Sequence, residues 1–425
     1  MKPEEYLLEN GLKVIFVDTK TFPTITTLLL VGAGSRYENE KNNGIAHFFE
    51  HMAFKGSKKY ANSFVISSTI EGKGGVFNAF TSKDHTGYWI KSTNEHFPTV
   101  IDVISDMVLN PKLDPEEIER EKGVISEEIN MYEDMPQRKV GEIFEGLLYG
   151  GNPLGFDIAG TKETISKFDR NTFVDYIKSL YHPDNSVLIV AGGLKDRQKY
   201  LELIKDKFAF WKNSERTKYV TIKESQSKPQ ILVRYKKTEQ AHMCLGFRAF
   251  SFKDDRKYVL SVLSAILGGG MSSRLFIQVR ERRGLCYYIS TGSELYEDCG
   301  NIVTQAGVTN NLEKVREAIK TILAEHRKAV TAEIGEDEIN RAKELIRGRL
   351  MLSLEDSSNI ASFFGTRKLL QNSVQSPEET IRKIMKVTAK DINNLAREIF
   401  VNRNLNFSII GPFKNDSDFE DVLEV

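Results

Sequence analysis

The stretch Tyr181-His182-Pro183-Asp184-Asn185 runs into the apolar Ser186-Val187-Leu188-Ile189-Val190-Ala191 and ends in Gly192-Gly193-Leu194-Lys195. The pattern recurs as Phe400-Val401-Asn402-Arg403-Asn404, then Leu405-Asn406-Phe407-Ser408-Ile409-Ile410, then Gly411-Pro412-Phe413-Lys414. Asn185 and Asn404, Gly192 and Gly411, Lys195 and Lys414 are each 219 residues apart. That offset also sets Leu12-Lys13-Val14-Ile15-Phe16-Val17-Asp18 against Ile231-Leu232-Val233-Arg234-Tyr235-Lys236-Lys237, both strand-like in length and β-branched content. The chain reads as one fold written twice. Each half opens with strands, passes through amphipathic helices and closes with a helix and a strand, an α+β order rather than βαβ. The expectation is two homologous domains, residues 1–212 and 229–425, each an antiparallel-rich sheet packed with helices. Residues 213–228 are polar, lack a helical period and read as the linker.

A chain of 425 residues with 40% hydrophobic and 28% charged residues is long enough for two cores and too apolar to be disordered. Lys+Arg and Asp+Glu both number 59, so no net field holds a polyanion, and nucleic acid drops out as a partner. The apolar run Ile25 to Gly32 is too short to cross a bilayer, and Met1-Lys2-Pro3-Glu4-Glu5 does not resemble a secretory signal. The reading is cytoplasmic, with no membrane partner. Cys244, Cys286 and Cys299 are odd in number and have no C-x-x-C spacing, which points to buried thiols rather than disulfides or a thiolate metal site.

The chemistry concentrates in His47-Phe48-Phe49-Glu50-His51, within a proline-free, apolar-rich segment from Asn43 to Phe54 that predicts a helix. On a helix His47 and His51 lie one turn apart on one face, and Glu50 falls on the same arc. Two imidazoles beside a carboxylate that does not itself reach the metal make two zinc ligands and a general base. The competing reading is a pair of satisfied core histidines, but only 7 histidines occur in the chain, so chance alone is weak competition. A catalytic zinc calls for a third protein ligand. Asp114-Pro115-Glu116-Glu117 reads as a capped helix start, and Ile118, Ile125 and Ile129 line one side of the helix that follows, down to about Tyr132. Glu121 and Glu128 fall on that apolar side, whereas Glu116, Glu119 and Glu127 read as solvent-facing.

His47-Phe48-Phe49-Glu50-His51, followed after 76 residues by Glu128, resembles the inverted zinc motif of the M16 peptidases. Gly74 to Tyr88, with Asn78-Ala79-Phe80-Thr81, resembles that family's substrate-binding edge strand, and Val124 to Ile129 resembles its third-ligand helix. Gly268 to Phe276 and Arg280 to Tyr287 resemble its Arg/Tyr segment. The resemblance implies that His47, His51 and Glu128 hold one zinc per chain, that Glu50 is the base, and that Glu121 orients a ligand histidine. It further implies that Asn78, Ala79 and Phe80 meet an extended peptide, and that Arg280 and Tyr287 hold the substrate carbonyl side, Tyr287 donating to the oxyanion. On their own residues, Arg280 reads as a surface arginine and Tyr287 as a half-buried strand tyrosine.

At the repeat offset Ile266, Gly270 and Arg347 stand opposite His47, His51 and Glu128, so the second half lacks a zinc set. Complete M16 peptidases have four such domains, and two domains therefore imply a homodimer. The implied activity is a zinc-dependent endopeptidase acting on short or unfolded peptides added as a strand inside a closed chamber. The alternatives are a processing-peptidase subunit that needs a distinct inactive partner chain, forming a heterodimer, and a catalytically silent scaffold subunit.

Overall fold

The run Ser186–Gly192 is apolar without alternation because it forms a strand covered on both faces, and all seven of its residues are buried. In the computed structural model, which describes residues 2–425, it is β6 of a six-stranded sheet in the order β1-β2-β6-β3-β5-β4. The other strands are β1 (Glu4–Leu7), β2 (Lys13–Asp18), β3 (Thr24–Val31), β4 (Val76–Thr81) and β5 (Thr86–Thr93). A second sheet has the order β7-β11-β8-β10-β9, from β7 (Gln230–Tyr235), β8 (Gln240–Ala249), β9 (Cys286–Leu295), β10 (Gly300–Thr309) and β11 (Leu405–Gly411). Each sheet has one parallel pair, β2 with β6 and β7 with β11; the remaining pairs are antiparallel. The architecture is α+β, with two like-ordered mixed sheets packed against helices.

Around β6 the period of two divides the work. Leu188 and Val190 join the core formed with the helices Ile45–Ala53, Phe97–Leu109 and Arg170–Leu180. Ile189 faces the other way, towards the helix Ser357–Gln371, where Gly365 lies so close that a Cβ would sit 2.5 Å from Ile189 Cδ1. β11 repeats this division in the second sheet. Leu405, Phe407 and Ile409 face the main core, while Ile410 joins Val140, Phe144 and Leu148 of the helix Pro136–Tyr149. The compact units are therefore discontinuous: the first runs to Asn130 and adds Phe156–Val220 and Met351–Pro377, and the second holds Met131–Gly155, Thr221–Leu350 and Glu378–Val425. Each unit contains one helix drawn from the opposite half of the sequence.

The repeat is real, with one correction. The helix Arg170–Leu180 and β6 recur at Ala389–Ile399 and Leu405–Gly411 with the offset of 219 intact. The first strands do not keep it. Lys13 pairs with Val187, and Gln230 pairs with Asn406, so Lys13 corresponds to Gln230, an offset of 217 from 230 − 13. The alignment of Leu12–Asp18 with Ile231–Lys237 is displaced by two residues. A slip of two keeps every side chain on the same face, so the hydrophobic pattern cannot reveal it. None of the three cysteines is in a disulfide, and all three are buried. Among the described residues no helix is long and apolar enough to cross a membrane.

Candidate metal centre

The helix carrying the histidines, Ile45–Ala53, begins after Gly44, whose φ of +97° suits glycine. A Cβ there would lie 2.8 Å from the Ala159 carbonyl oxygen. No N-cap side chain serves this helix end; the buried carboxylate of Glu38 does. Its Oε2 accepts from the Gly44 amide (2.8 Å) and Asn43 Nδ2 (2.9 Å), and its Oε1 accepts from the Ala46 amide (2.8 Å). Three donors and a helix N-terminus favour the carboxylate, but burial outweighs them and pushes the Glu38 pKa up to about 7.

One turn apart on this helix, the His47 and His51 rings have centroids 4.7 Å apart. Their Nε2 atoms lie 3.6 Å and 3.5 Å from Glu128 Oε2. Glu128 comes from the neighbouring helix Pro115–Glu133, whose buried residues are Ile118, Glu121 and Ile125. Glu116, Glu119 and Glu127 are exposed, as the helix phase requires. His47, His51 and Glu128 offer ligand atoms all within 4.8 Å of one another, and among the described residues theirs is the one such group of three. The helix Lys257–Gly268 of the second unit contains no His, Cys, Asp or Glu, so a change of repeat register supplies no second set.

Around this group the partners are specific. Glu121 Oε1 lies 2.8 Å from His51 Nδ1, and Glu121 Oε2 pairs with Lys55 Nζ at 2.5 Å. Burial alone would lower the His51 pKa; the Glu121 hydrogen bond and the charges of Glu121, Glu128 and Glu50 reverse this and raise it. For Glu121 burial pulls upward, and the contacts with His51 and Lys55 hold its pKa below the ordinary value. His47 Nδ1 is buried with no hydrogen-bond partner among the described residues. Glu50 is outside the donor group; its Oε2 accepts from Thr81 Oγ1 at 2.6 Å.

Thr81 ends β4, an edge strand whose partner among the described residues is β5 alone. On β4 the side chain of Asn78 is exposed and its Oδ1 accepts from the Ala79 amide at 2.9 Å. The Phe80 ring lies over Gly87, where a Cβ would approach Phe80 Cζ to 2.5 Å. The structure thus brings His47, His51, Glu128, Glu121 and Glu50 together and sets β4 beside them through Thr81. Arg280 and Tyr287 belong to the second unit and lie near each other. Arg280 sits in a π-helical turn, Phe276–Glu281, its guanidinium carbon 4.6 Å from the Phe276 ring centroid and 6.0 Å from that of Tyr287. Tyr287 is 73% exposed. Glu38, Lys55 and Thr81 escaped the sequence reading: Glu38 holds the start of the histidine helix, and Lys55 and Thr81 meet Glu121 and Glu50 only through contacts between separate elements.

Comparison with known proteins places these features in context. Residues 13–162 match the family described as insulinase (peptidase family M16), and residues 167–346 match the peptidase M16 inactive domain. A Bacillus subtilis protein named as the uncharacterized zinc protease YmxG is 36% identical over 97% of this chain and 99% of its own. The uncharacterized zinc protease SCO5738 of Streptomyces coelicolor is 31% identical over 96% of this chain and 89% of its own. The crystal structure of a protease from Helicobacter pylori superposes with a TM-score of 0.90 at 26% identity, covering 97% of this chain and 99% of that one.

Proposed function

The chain belongs to peptidase family M16, and from that premise we propose that it is a zinc-dependent endopeptidase hydrolysing short or unfolded peptides. The observation that carries the reading is the convergence of two imidazoles and one carboxylate within 4.8 Å, beside a second carboxylate, Glu50, that is held apart by Thr81. Two nitrogens and one oxygen from neighbouring helices are a donor set that suits zinc and leaves a position open. His47, His51 and Glu128 would hold one zinc per chain, supplying Lewis acidity and lowering the pKa of water towards about 7.

The chain's own groups do the rest. Glu50 takes a proton from the attacking water and returns it to the leaving amine, while Thr81 fixes one of its oxygens. Glu121 accepts the Nδ1 hydrogen of His51 and so fixes the tautomer that leaves Nε2 for the metal. The edge of β4 offers main-chain groups to a peptide added as a strand, a mode that accepts many sequences and requires an extended substrate. Asn78, Ala79 and Phe80 line it, and the Asn78 carboxamide must leave the Ala79 amide for that amide to serve the peptide. Arg280 and Tyr287 hold the carbonyl side, with Tyr287 donating to the oxyanion. We place them across a symmetric homodimer, each copy serving the metal set of the other within a closed chamber.

Metal analysis and a peptide-cleavage assay on the purified chain test this. Glu50→Gln should retain zinc and lose several powers of ten in turnover, and His51→Ala should lose both. Cleavage that appears only on adding an inactive homologous chain would instead favour the two-subunit processing peptidase, and zinc-free, inactive wild type would favour the silent scaffold.

A further inference from the structure

We propose that Lys55 is a positioning residue of this centre: its ion pair with Glu121 locks the carboxylate that accepts the Nδ1 hydrogen of His51, and so presents His51 Nε2 to zinc. The proposal rests on the zinc reading above and deepens it.

The geometry divides one carboxylate between two partners. Glu121 Oε1 is 2.8 Å from His51 Nδ1, and Glu121 Oε2 is 2.5 Å from Lys55 Nζ. The Glu121 side chain is 3% exposed, so neither oxygen has water to fall back on, whereas the Lys55 side chain is 26% exposed. A buried carboxylate is tolerated when it is paired and hydrogen-bonded. A metal-ligating imidazole must be neutral, so His51 then supplies a hydrogen bond and no charge. The cation in contact with Glu121 is Lys55. Without it, the carboxylate would carry its charge in a buried site and be free to rotate off His51.

Lys55 is itself well anchored. It follows the last residues of the histidine helix, its amide donating to the Met52 carbonyl at 3.1 Å. The chain then turns at Gly56, whose φ is +127° and where a Cβ would lie 2.8 Å from the Ala61 carbonyl oxygen. One short segment therefore carries His51 and, four residues later, the cation that braces the partner of His51. Glu121 arrives from the helix Pro115–Glu133 and is gripped at both oxygens by that segment.

The test measures zinc dissociation constants by competition with a chromophoric chelator at fixed pH and ionic strength, on the metal-stripped and reloaded full chain. The variants are Lys55→Met, Lys55→Arg, Glu121→Gln and the double Lys55→Met/Glu121→Gln. Lys55→Met should weaken zinc about ten- to a hundredfold, the range seen when partners of ligand histidines are removed. Lys55→Arg, which keeps the charge, should recover most of that loss. The double variant should bind zinc no more weakly than Glu121→Gln alone, because Lys55 acts through Glu121. Wild-type affinity in Lys55→Met, or losses that multiply in the double variant, would overturn the proposal. Circular dichroism and thermal midpoints of the metal-free proteins check folding, and Lys55→Gln replaces Lys55→Met if the latter does not fold. Wild type that binds no zinc, or His51→Ala that binds it as tightly as wild type, would overturn the zinc reading itself.

Discussion

Glu38→Gln perturbs the end of the histidine helix without touching a proposed ligand, and its effect on stability should change with pH. The Glu38 carboxyl rises from 4.5 to about 7 on folding because burial outweighs the donors around it. Below the unfolded value both states are protonated and the group is neutral in the balance. As pH climbs from about 4.5 to about 7 the unfolded chain releases the proton and the folded chain does not, so stability falls. Each pKa unit is worth about 1.36 kcal/mol, so the full window is worth roughly 3 kcal/mol. Glutamine cannot titrate and escapes that loss. It also replaces one oxygen by an NH2 facing a donor, either the Ala46 amide or the pair Gly44 and Asn43, which costs about 1–3 kcal/mol at all pH values. The variant should therefore be the weaker protein near pH 4 and equal or stronger near pH 8. Urea titrations of both proteins across about pH 4 to 8 read the difference, in which all shared titrations cancel. A difference that stays flat across the window would show that burial leaves the Glu38 carboxyl unshifted, and a variant that weakens relative to wild type as pH rises through about 4.5 would show that the helix end outweighs burial.

Three further outcomes are expected. Glu128→Gln should release zinc while Glu127→Gln, exposed on the same helix, should be nearly silent; inductively coupled plasma analysis decides, and the reverse result would shift the ligand by one residue. His326 is buried among Phe247 and Phe400 with its pKa lowered to about 4, so it stabilises the fold above the unfolded value of 6.5. That contribution, about 3 kcal/mol, should disappear as pH falls towards 4 and should be absent in His326→Leu; equal acid sensitivity of the two proteins would refute it. If the proposed homodimer shares its sites, mixing Glu50→Gln and Tyr287→Phe, each inactive alone, should restore about a quarter of wild-type activity once subunits exchange, since half the dimers would be mixed and each would hold one intact site. Exchange shown by mass spectrometry without rescue would exclude a shared site.

Much of the centre was legible because helical spacing is geometric. His47 and His51 one turn apart, and Glu121 and Glu128 two turns apart on the side of Ile118 and Ile125, follow from the period of 3.6 alone. The helix bounds came close: Asn43 to Phe54 narrows to Ile45–Ala53, and the second helix ends at Glu133 rather than near Tyr132. What stayed hidden depends on which side chains the packing buries or brings together. Glu38 caps a helix seven residues further on, and nothing in a polar turn marks which carboxylate will be buried. Thr81 is one of several hydroxyl residues near a strand end, and only the packing of β4 against the histidine helix chooses it. Lys55 sits in a run with Lys58 and Lys59 that reads as a solvated loop. The two-residue slip between the first strands of the repeat is invisible to any pattern of period two.

The repeat and the packing units divide the chain differently. β6 and β11 are buried along their whole length, β11 although Leu405-Asn406-Phe407-Ser408-Ile409 alternates apolar and polar, and a strand does not say which helix covers its second face. Ile189 and Leu30 press against Gly365, from the second half of the sequence, and Thr26 Oγ1 lies 2.8 Å from Ser357 Oγ. In the other sheet Phe144 and Val140, from the first half, press against Cys244 and Ile410, and Ser408 Oγ donates to the Val140 carbonyl at 3.2 Å. Fully burying a side chain such as Ile189 or Phe144 is worth about 1.5–3 kcal/mol, against a net stability of only about 5–15 kcal/mol for a domain. Stripping one helix from a sheet uncovers several such residues at once. A sequence half expressed alone therefore keeps its strands but loses the cover of one sheet face, and it leaves its own exported helix with no sheet to cover. The duplication explains why the two halves look alike; the exchanged helices explain why neither half is by itself a complete packing unit.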